Sequence, residues 1–214
     1  MVPLPSTENR KLWAVGARRI EAATTDANAM IRILRALALE SDALVALFDA
    51  RAIAGERHLL SAWAHLGRSR EHGEPRLRDR AAEFALYVAG EDQLGRALAK
   101  VGVAADTERF VLVGERPLEP GPLLERFGLV FDADAYPVGP TEAVLERLGI
   151  GALDRVAVAP SAWEGLVLER VALVDLNAST ASDSPAGRKP PPSSPPAKGP
   201  VRAPSTAAGP KAKH

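Results

Sequence analysis

Apolar and polar positions along the first 178 residues alternate with the periods of both strands and helices. Residues 11–20 alternate in a strand-like manner, and residues 43–48 form the short, wholly apolar run that is typical of a buried strand. Residues 26–39 place apolar side chains at helical spacing, and Asp26 precedes them as an N-terminal cap. The same patterns predict a third strand at 110–113 and further helices at 56–66, 76–88, 92–101, 122–127, 140–148 and 162–176.

The order of these elements indicates the fold class. Strands and helices are mixed without a regular alternation of strand, helix and parallel strand, which argues against a doubly wound fold. We expect an α/β (α+β) architecture, with a single domain at residues 1–178 in which a mixed, mainly antiparallel sheet packs against several helices. Within this domain a helix is expected to end at each of Gly67, Gly90 and Gly102.

The composition changes sharply near Ser179. Residues 179–214 are rich in Pro, Ser, Gly, Ala and Lys, and Val201 is their only large apolar side chain. Such a segment buries too little apolar surface to offset the entropy lost on ordering, so we predict a disordered tail. From Thr180 onward the chain carries six basic residues and one acidic residue, which fits either a basic arm that tethers RNA or a solubilising tail without a target.

Composition narrows the class of protein. The chain has 27 Lys+Arg, 27 Asp+Glu and no cysteine, so disulfides, thiolate metal sites and thiol catalysis are excluded. It has no 18-residue apolar run and no signal-peptide core at its N-terminus, and we expect a cytoplasmic protein without a membrane partner. The net charge of the chain is zero and the tail is basic, so the remaining residues carry a net negative charge. An acidic body argues against a free-standing, high-affinity nucleic-acid binder.

No motif for catalysis or cofactor binding stands out. A glycine-rich phosphate loop is absent, and neither a cofactor nor a small-molecule substrate is expected. His58, His65 and His72 share a heptad spacing, but side chains seven residues apart on a helix are separated by about 10.5 Å along the axis, so we expect surface histidines and no metal. No catalytic residue is predicted, because no recognisable nucleophile motif surrounds the hydroxyls of Ser61, Ser69 and Thr107.

Residues 55–80 form the most basic part of the acidic body. They hold six arginines and three of the four histidines. Arg57 and His58 fall at a predicted helix N-terminus, where free backbone N–H groups favour an anion. Arginine planes and imidazoles also stack on unpaired bases, so a single-stranded RNA end is one ligand that fits this segment. The alternative is a solvated helix–loop–helix whose arginines pair with nearby acids.

Three ordered motifs resemble a known family. Residues 47–69, LFDARAIAGERHLLSAWAHLGRS, are similar to a strand, a small-residue turn and an alanine-rich helix in its archaeal members. Residues 83–97 resemble its pattern E-x-x-L-Y-x-x-G-x-x-Q-I-x-x-A, with Leu94 in place of the usual isoleucine, and residues 168–176 resemble its C-terminal helix. The family is the PRPK-binding protein family, the kinase-binding subunit of the KEOPS complex, and the resemblance covers residues 43–176.

The resemblance implies a non-enzymatic role in making threonylcarbamoyladenosine at position 37 of tRNA. Members of the family bind and stimulate the small atypical, PRPK-type kinase/ATPase subunit, and archaeal members hold the tRNA 3′ CCA end. We therefore expect a tRNA-processing subunit of archaeal type with these two partners. Rival functions are a protein-interaction adaptor without RNA contact and a small hydrolase of unrelated class.

Two groups of residues are the candidates for these contacts. The predicted tRNA-binding residues are Arg57, His58, Arg68, Arg70, Tyr87 and Gln93. For the last two, packing and capping of the turn at Gly90 is the alternative. The predicted kinase-binding residues lie on the last helix, which is apolar on several faces and could equally serve as core; they are Trp163, Leu166, Val167, Arg170 and Val174.

Overall fold

The computed structural model describes residues 12–20, 26–41 and 43–182. Within these ranges the strands are β1 (Leu12–Arg19), β2 (Val45–Asp49), β3 (Arg109–Glu115) and β4 (Leu129–Phe131). The helices are α1 (Ala27–Glu40), α2 (Glu56–Glu71), α3 (Arg80–Ala89), α4 (Leu94–Val101), α5 (Pro120–Phe127), α6 (Glu142–Arg147), α7 (Ala152–Val156) and α8 (Trp163–Ser182). Short 3₁₀ turns lie at Ala50–Ala52, Ala133–Ala135 and Pro160–Ala162.

The four described strands form one sheet in the order β2-β3-β1-β4, and each neighbouring pair is antiparallel. β1 lies inside the sheet beside β3, with Val15 opposite Leu112 and Arg18 opposite Arg109. The predicted α+β class, a sheet packed against several helices, is confirmed, and the described strands contain no parallel pair.

Alternation along the strands creates two cores, one on each face of the sheet. Ala14 of β1 and Val111 of β3 face a layer built from α2, α3, α4, α6 and α8. Val15 and Leu112 face the opposite layer, built from α1 and α5. Successive strand residues point to opposite faces, so each of these strands contributes to both cores. Both faces of the sheet are therefore covered by helices.

The prediction that α2 ends at Gly67 is wrong, because the helix continues to Glu71. A glycine inside a helix costs about 1 kcal/mol relative to alanine. Ser69 and Arg70, in the turn beyond Gly67, hydrogen bond to the buried carboxylate of Glu83, and these bonds stabilise the added turn. α3 begins at Arg80 rather than residue 76 because the side chain of Asp79 caps it by accepting the N–H groups of Ala81 and Ala82.

The last helix is longer than predicted. α8 runs to Ser182, so it includes the first four residues of the segment predicted to be disordered. Residues 183–214 lie outside the described residues, as do residues 1–11. β4 and α7 were not predicted, because three-residue and five-residue elements show too little of their period. Across the described residues, the helices are too short or too polar to cross a membrane.

Candidate functional site

Arg57 stands exposed in the first turn of α2. Gly55 caps this helix with φ +117, a backbone conformation that side-chain-bearing residues rarely adopt. The guanidinium of Arg57 lies 2.5 Å from the Glu164 carboxylate at the start of α8. Arg57 is thus at the surface, and its side chain is held by an exposed ion pair that a competing anion can replace.

His58, the second residue predicted to contact RNA, lies in the core and is 1% exposed, so the prediction of a surface histidine is wrong here. Its Nδ1 accepts the Ala54 N–H at 3.2 Å, and its Nε2–H donates to the Val88 carbonyl at 2.8 Å. Burial lowers the pKa of His58 to about 4, and the bond to Val88 opposes this shift only in part. His58 is therefore a neutral link between α2 and α3, without a face on which a base could stack.

The two arginines at the end of α2 have different surroundings. Arg68 is exposed. Arg70 donates from Nε to Glu83 at 2.9 Å and from a terminal nitrogen to the Leu77 carbonyl at 2.7 Å. Glu83 is fully buried and also accepts from the Ser69 hydroxyl at 2.8 Å. Arg70 compensates a buried charge, which leaves Arg68 as the accessible cation of the two.

Tyr87 and Gln93 are likewise separated by the fold. Tyr87 is fully buried, and its hydroxyl donates to Asp175 Oδ1 at 2.9 Å. Burial raises the pKa of Tyr87, and the hydrogen bond to Asp175 adds to the rise. Gln93 is exposed and precedes α4 without capping it through its side chain. Of these two candidates, Gln93 faces solvent and Tyr87 serves as packing.

Asp175 is the centre of a buried-to-surface network that we call the polar seam, formed by His65, Tyr87, Arg76 and Asp175. His65 Nδ1 lies 2.5 Å from Asp175 Oδ2, and the rings of His65 and Tyr87 are 5.7 Å apart. The Arg76 guanidinium sits 5.9 Å from the Tyr87 ring and donates to the Val174 carbonyl. The polar seam joins α2, α3 and α8, although His65 and Asp175 are 110 residues apart in sequence.

Ser69, His65 and Asp175 lie near one another, but they lack the hydrogen bonds of a nucleophilic triad. The Ser69 hydroxyl bonds to the Glu83 carboxylate at 2.8 Å and to the Glu74 carbonyl at 2.9 Å. In a triad that hydroxyl would instead be hydrogen bonded to the imidazole of a base, here His65. The observed bonds assign Ser69 to holding the loop after α2.

A second buried carboxylate lies at the end of β2, in the first of the three motifs. Asp49 is fully buried and accepts from Arg51 at 2.6 Å, from Arg147 at 3.1 Å and from the Thr107 hydroxyl at 3.2 Å. Burial opposes ionisation, but the hydrogen bonds from Arg51 and the positive charges of Arg147 and Arg51 outweigh it and hold the pKa of Asp49 below its ordinary value. Asp49 therefore ties β2 to α6 and to the loop before β3.

The residues predicted to bind the kinase divide into core and edge. Val167 and Val174 are buried in the core beneath the sheet. Trp163 is half-buried, and its indole N–H donates to the Arg155 carbonyl at 3.3 Å. Leu166 and Arg170 line an open groove of about 240 Å³ whose other walls are Gly149, Ile150, Asp154, Glu169 and Leu173. α8 thus serves both as core and as surface, on different sides.

Apolar side chains are exposed next to this groove. In α7, Leu153 is 83% exposed and Val156 is 80% exposed, one helical turn apart. Leu176, near the end of the described side chains of α8, is 61% exposed. We call Leu153, Val156, Leu166, Leu173 and Leu176 the α7–α8 edge. The apolar i, i+3 pair is the sequence signal of α7, but a single pair is too short to predict a helix by itself.

The described residues include no group of three or more histidines and acids that could hold a metal ion. The chain matches no known family model and no curated protein sequence. The fold and site define an α+β domain with two buried carboxylates, Asp49 and Glu83, that are paired with arginines, and with exposed apolar side chains on α7 and α8. The resemblance to the PRPK-binding protein family rests on the three motifs alone.

Proposed function

We propose that this chain is a non-catalytic, kinase-binding subunit of a KEOPS-type assembly that supports threonylcarbamoyladenosine formation on tRNA. In this role it binds and stimulates the atypical kinase/ATPase subunit through the α7–α8 edge. It holds the tRNA 3′ CCA end through exposed residues of α2. The assembly works in the cytoplasm, and the catalytic groups belong to the partner subunits.

The observation that carries the proposal is the exposed apolar surface of the α7–α8 edge. Leu153 and Val156 have no apolar neighbour over most of their surface, since both are at least 80% exposed. Burying a leucine or valine side chain contributes about 1.5–3 kcal/mol, so a partner that covers this edge gains affinity from it. Arg170 at the adjoining groove adds a polar contact that can orient the partner.

Accessible cations on α2 support the RNA half of the proposal. Arg57 and Arg68 are both exposed and stand towards opposite ends of the helix, and Gln93 is exposed beyond α3. Exposed arginines bind phosphates through a planar fork of donors. The buried candidates His58 and Tyr87 and the half-buried Arg70 support this surface from beneath, because they fix α2 against α3 and α3 against α8.

The non-catalytic part of the proposal is supported by how the reactive groups are used. Ser69 bonds to Glu83, His58 bonds to backbone, and His65 bonds to Asp175. Each of these groups holds one element of the fold against another. The alternative is an adaptor without RNA contact, and tRNA binding separates it from the proposal.

A binding experiment with the kinase subunit of the source organism tests the proposal. The double variant Leu153→Glu/Val156→Glu, which changes two side chains that are at least 80% exposed, should lose kinase binding in calorimetry and fail to stimulate the ATPase activity of the kinase. Leu39→Glu is the matched control, because Leu39 is 90% exposed and lies on α1, on the other side of the sheet. Equal losses in both variants, or no kinase binding by the wild type, would overturn the proposal.

A tRNA experiment tests the second half. Intact tRNA should bind more tightly than tRNA that lacks its CCA end, and the difference should disappear in an Arg57→Gln/Arg68→Gln variant. Kinase binding by that variant should be unchanged. If wild-type protein does not distinguish the two tRNAs while it binds the kinase, the chain is an adaptor without RNA contact.

A further inference from the structure

Two arginines face each other at one end of the sheet. Arg18, near the end of β1, is the direct cross-strand partner of Arg109, the first residue of β3. Both side chains are exposed. They border an open depression of about 430 Å³ whose remaining walls are Arg19, Ile20, Glu108 and Asp132. Neither arginine was among the residues predicted from the sequence.

The structure gives these two guanidinium groups no neutralising partner in the part of the chain it describes. No carboxylate within the described ranges pairs with Arg18 or Arg109. Of the two acids in the wall of the depression, Asp132 accepts the N–H of Asp134 at 3.0 Å. The buried carboxylates Asp49 and Glu83, by contrast, each meet an arginine, so this pair of like charges stands apart from them.

Like charges directly opposite each other on antiparallel strands destabilise the pair. A bound anion between Arg18 and Arg109 converts that repulsion into attraction. Two guanidinium forks that border one opening match the oxygens of a phosphate, which arginine contacts in bidentate geometry. The depression is open and polar, which suits a phosphate carried on a larger molecule.

A close backbone crossing brings this strand end beside the start of α2. A Cβ at Gly16 would lie 2.4 Å from the Asp132 carbonyl oxygen, so the segment after β4 passes directly over β1. Tyr136 of this segment and Gly16 line one small cavity together with Glu56, the first residue of α2. Arg18 lies two residues beyond Gly16, about 7 Å along the strand. The arginine pair and the start of α2 therefore flank the same part of the molecule.

We infer that Arg18 and Arg109 bind backbone phosphates of the tRNA and extend its binding surface from the start of α2 onto the end of the sheet. This inference rests on the proposed function, since it takes tRNA as the ligand. The pair contributes affinity and orientation without reading bases, because phosphate contacts carry no sequence information.

The salt dependence of tRNA binding tests the inference. The double variant Arg18→Gln/Arg109→Gln should flatten the slope of log K against log salt concentration by roughly 1.4, at about 0.7 for each phosphate that is no longer neutralised. At 0.1 M salt this change of slope corresponds to a roughly 25-fold weaker Kd. The Tm of the variant should stay level or rise, since the substitutions remove a repulsion; a purely structural role predicts a lower Tm.

Arg32→Gln/Arg35→Gln is the matched control. Both arginines are exposed on α1, and the net-charge change is the same. The inference would be overturned if Arg18→Gln/Arg109→Gln had the salt slope and the Kd of the wild type. It would also be overturned if Arg32→Gln/Arg35→Gln weakened tRNA binding by the same factor. The kinase-binding experiment on the α7–α8 edge tests the proposed function separately. A failure of the inference about Arg18 and Arg109 is therefore distinguishable from a failure of the proposed function.

Discussion

His65 and Asp175 are joined across the interface of α2 and α8, with Nδ1 of the imidazole 2.5 Å from a carboxylate oxygen. The other oxygen of Asp175 accepts the hydroxyl of the buried Tyr87. The Asp175 carboxylate thus hydrogen bonds to side chains of both α2 and α3. Helix α8 is therefore fixed to the layer that covers the sheet by this carboxylate as well as by its buried valines.

The first prediction concerns Asp175. Asp175→Ala should lower the free energy of unfolding by about 1–2 kcal/mol, because it leaves the buried Tyr87 hydroxyl without its acceptor. The His65–Asp175 contact itself adds little, since Asp175 is partly exposed. Urea denaturation of the single variants and of His65→Ala/Asp175→Ala would measure the coupling. A fully additive double variant would show that the two side chains are energetically independent.

The second prediction is a pH dependence set by His58. Its pKa is about 4 in the folded protein, against about 6.5 for an ordinary histidine. Between these values the unfolded chain binds more protons, so the contribution of His58 to stability is complete above pH 6.5 and declines as pH falls toward 4. The decrease from this group reaches about 3 kcal/mol. In His58→Gln, unfolding curves between pH 7 and 4 should show a correspondingly shallower decline; an unchanged decline would exclude His58 as its source.

The third prediction separates folding from binding in two neighbouring arginines. Arg70→Gln should cost about 2 kcal/mol of stability, because it leaves the buried Glu83 carboxylate less well compensated. Arg68→Gln should change stability by less than about 0.5 kcal/mol and should weaken tRNA binding. Thermal denaturation and a tRNA titration of both variants check this. A large drop in the stability of Arg68→Gln would mean that it has a structural role.

The fold followed from the sequence wherever a periodic pattern was long enough. Asp26 was expected to cap α1, and it accepts the Ala29 N–H at 2.6 Å. Gly90 was expected to end α3, and it does so with φ +63. Gly67 does not end α2, because the turn beyond it is held by Glu83, which is distant in sequence. Local propensity cannot report such tertiary bonds.

The candidate site was less predictable because the exposure of a side chain depends on what packs against it. In the sequence Arg68 and Arg70 look equivalent, yet only Arg70 meets a buried carboxylate. The repulsive pair of Arg18 and Arg109 requires the register between β1 and β3, which no local pattern specifies. The meeting of His65 with Asp175 similarly depends on the packing of α8.

The fourth prediction compares two glycines that the structure places in opposite situations. A Cβ at Gly16 would meet backbone atoms of Asp132 and Tyr136 at 2.4 and 2.6 Å, so Gly16→Ala should destabilise the protein by about 1–3 kcal/mol. A Cβ at Gly67 meets nothing within 4 Å inside α2, so Gly67→Ala should stabilise it by about 0.5–1 kcal/mol. Chemical denaturation of the two variants measures both effects. Because Arg18 lies two residues beyond Gly16 on β1, opposite Arg109, a displacement of β1 should disturb this arginine pair, so Gly16→Ala should weaken tRNA binding as well, while Gly67→Ala should leave it unchanged. A neutral Gly16→Ala would show that the segment after β4 can move away from β1 at no cost in stability.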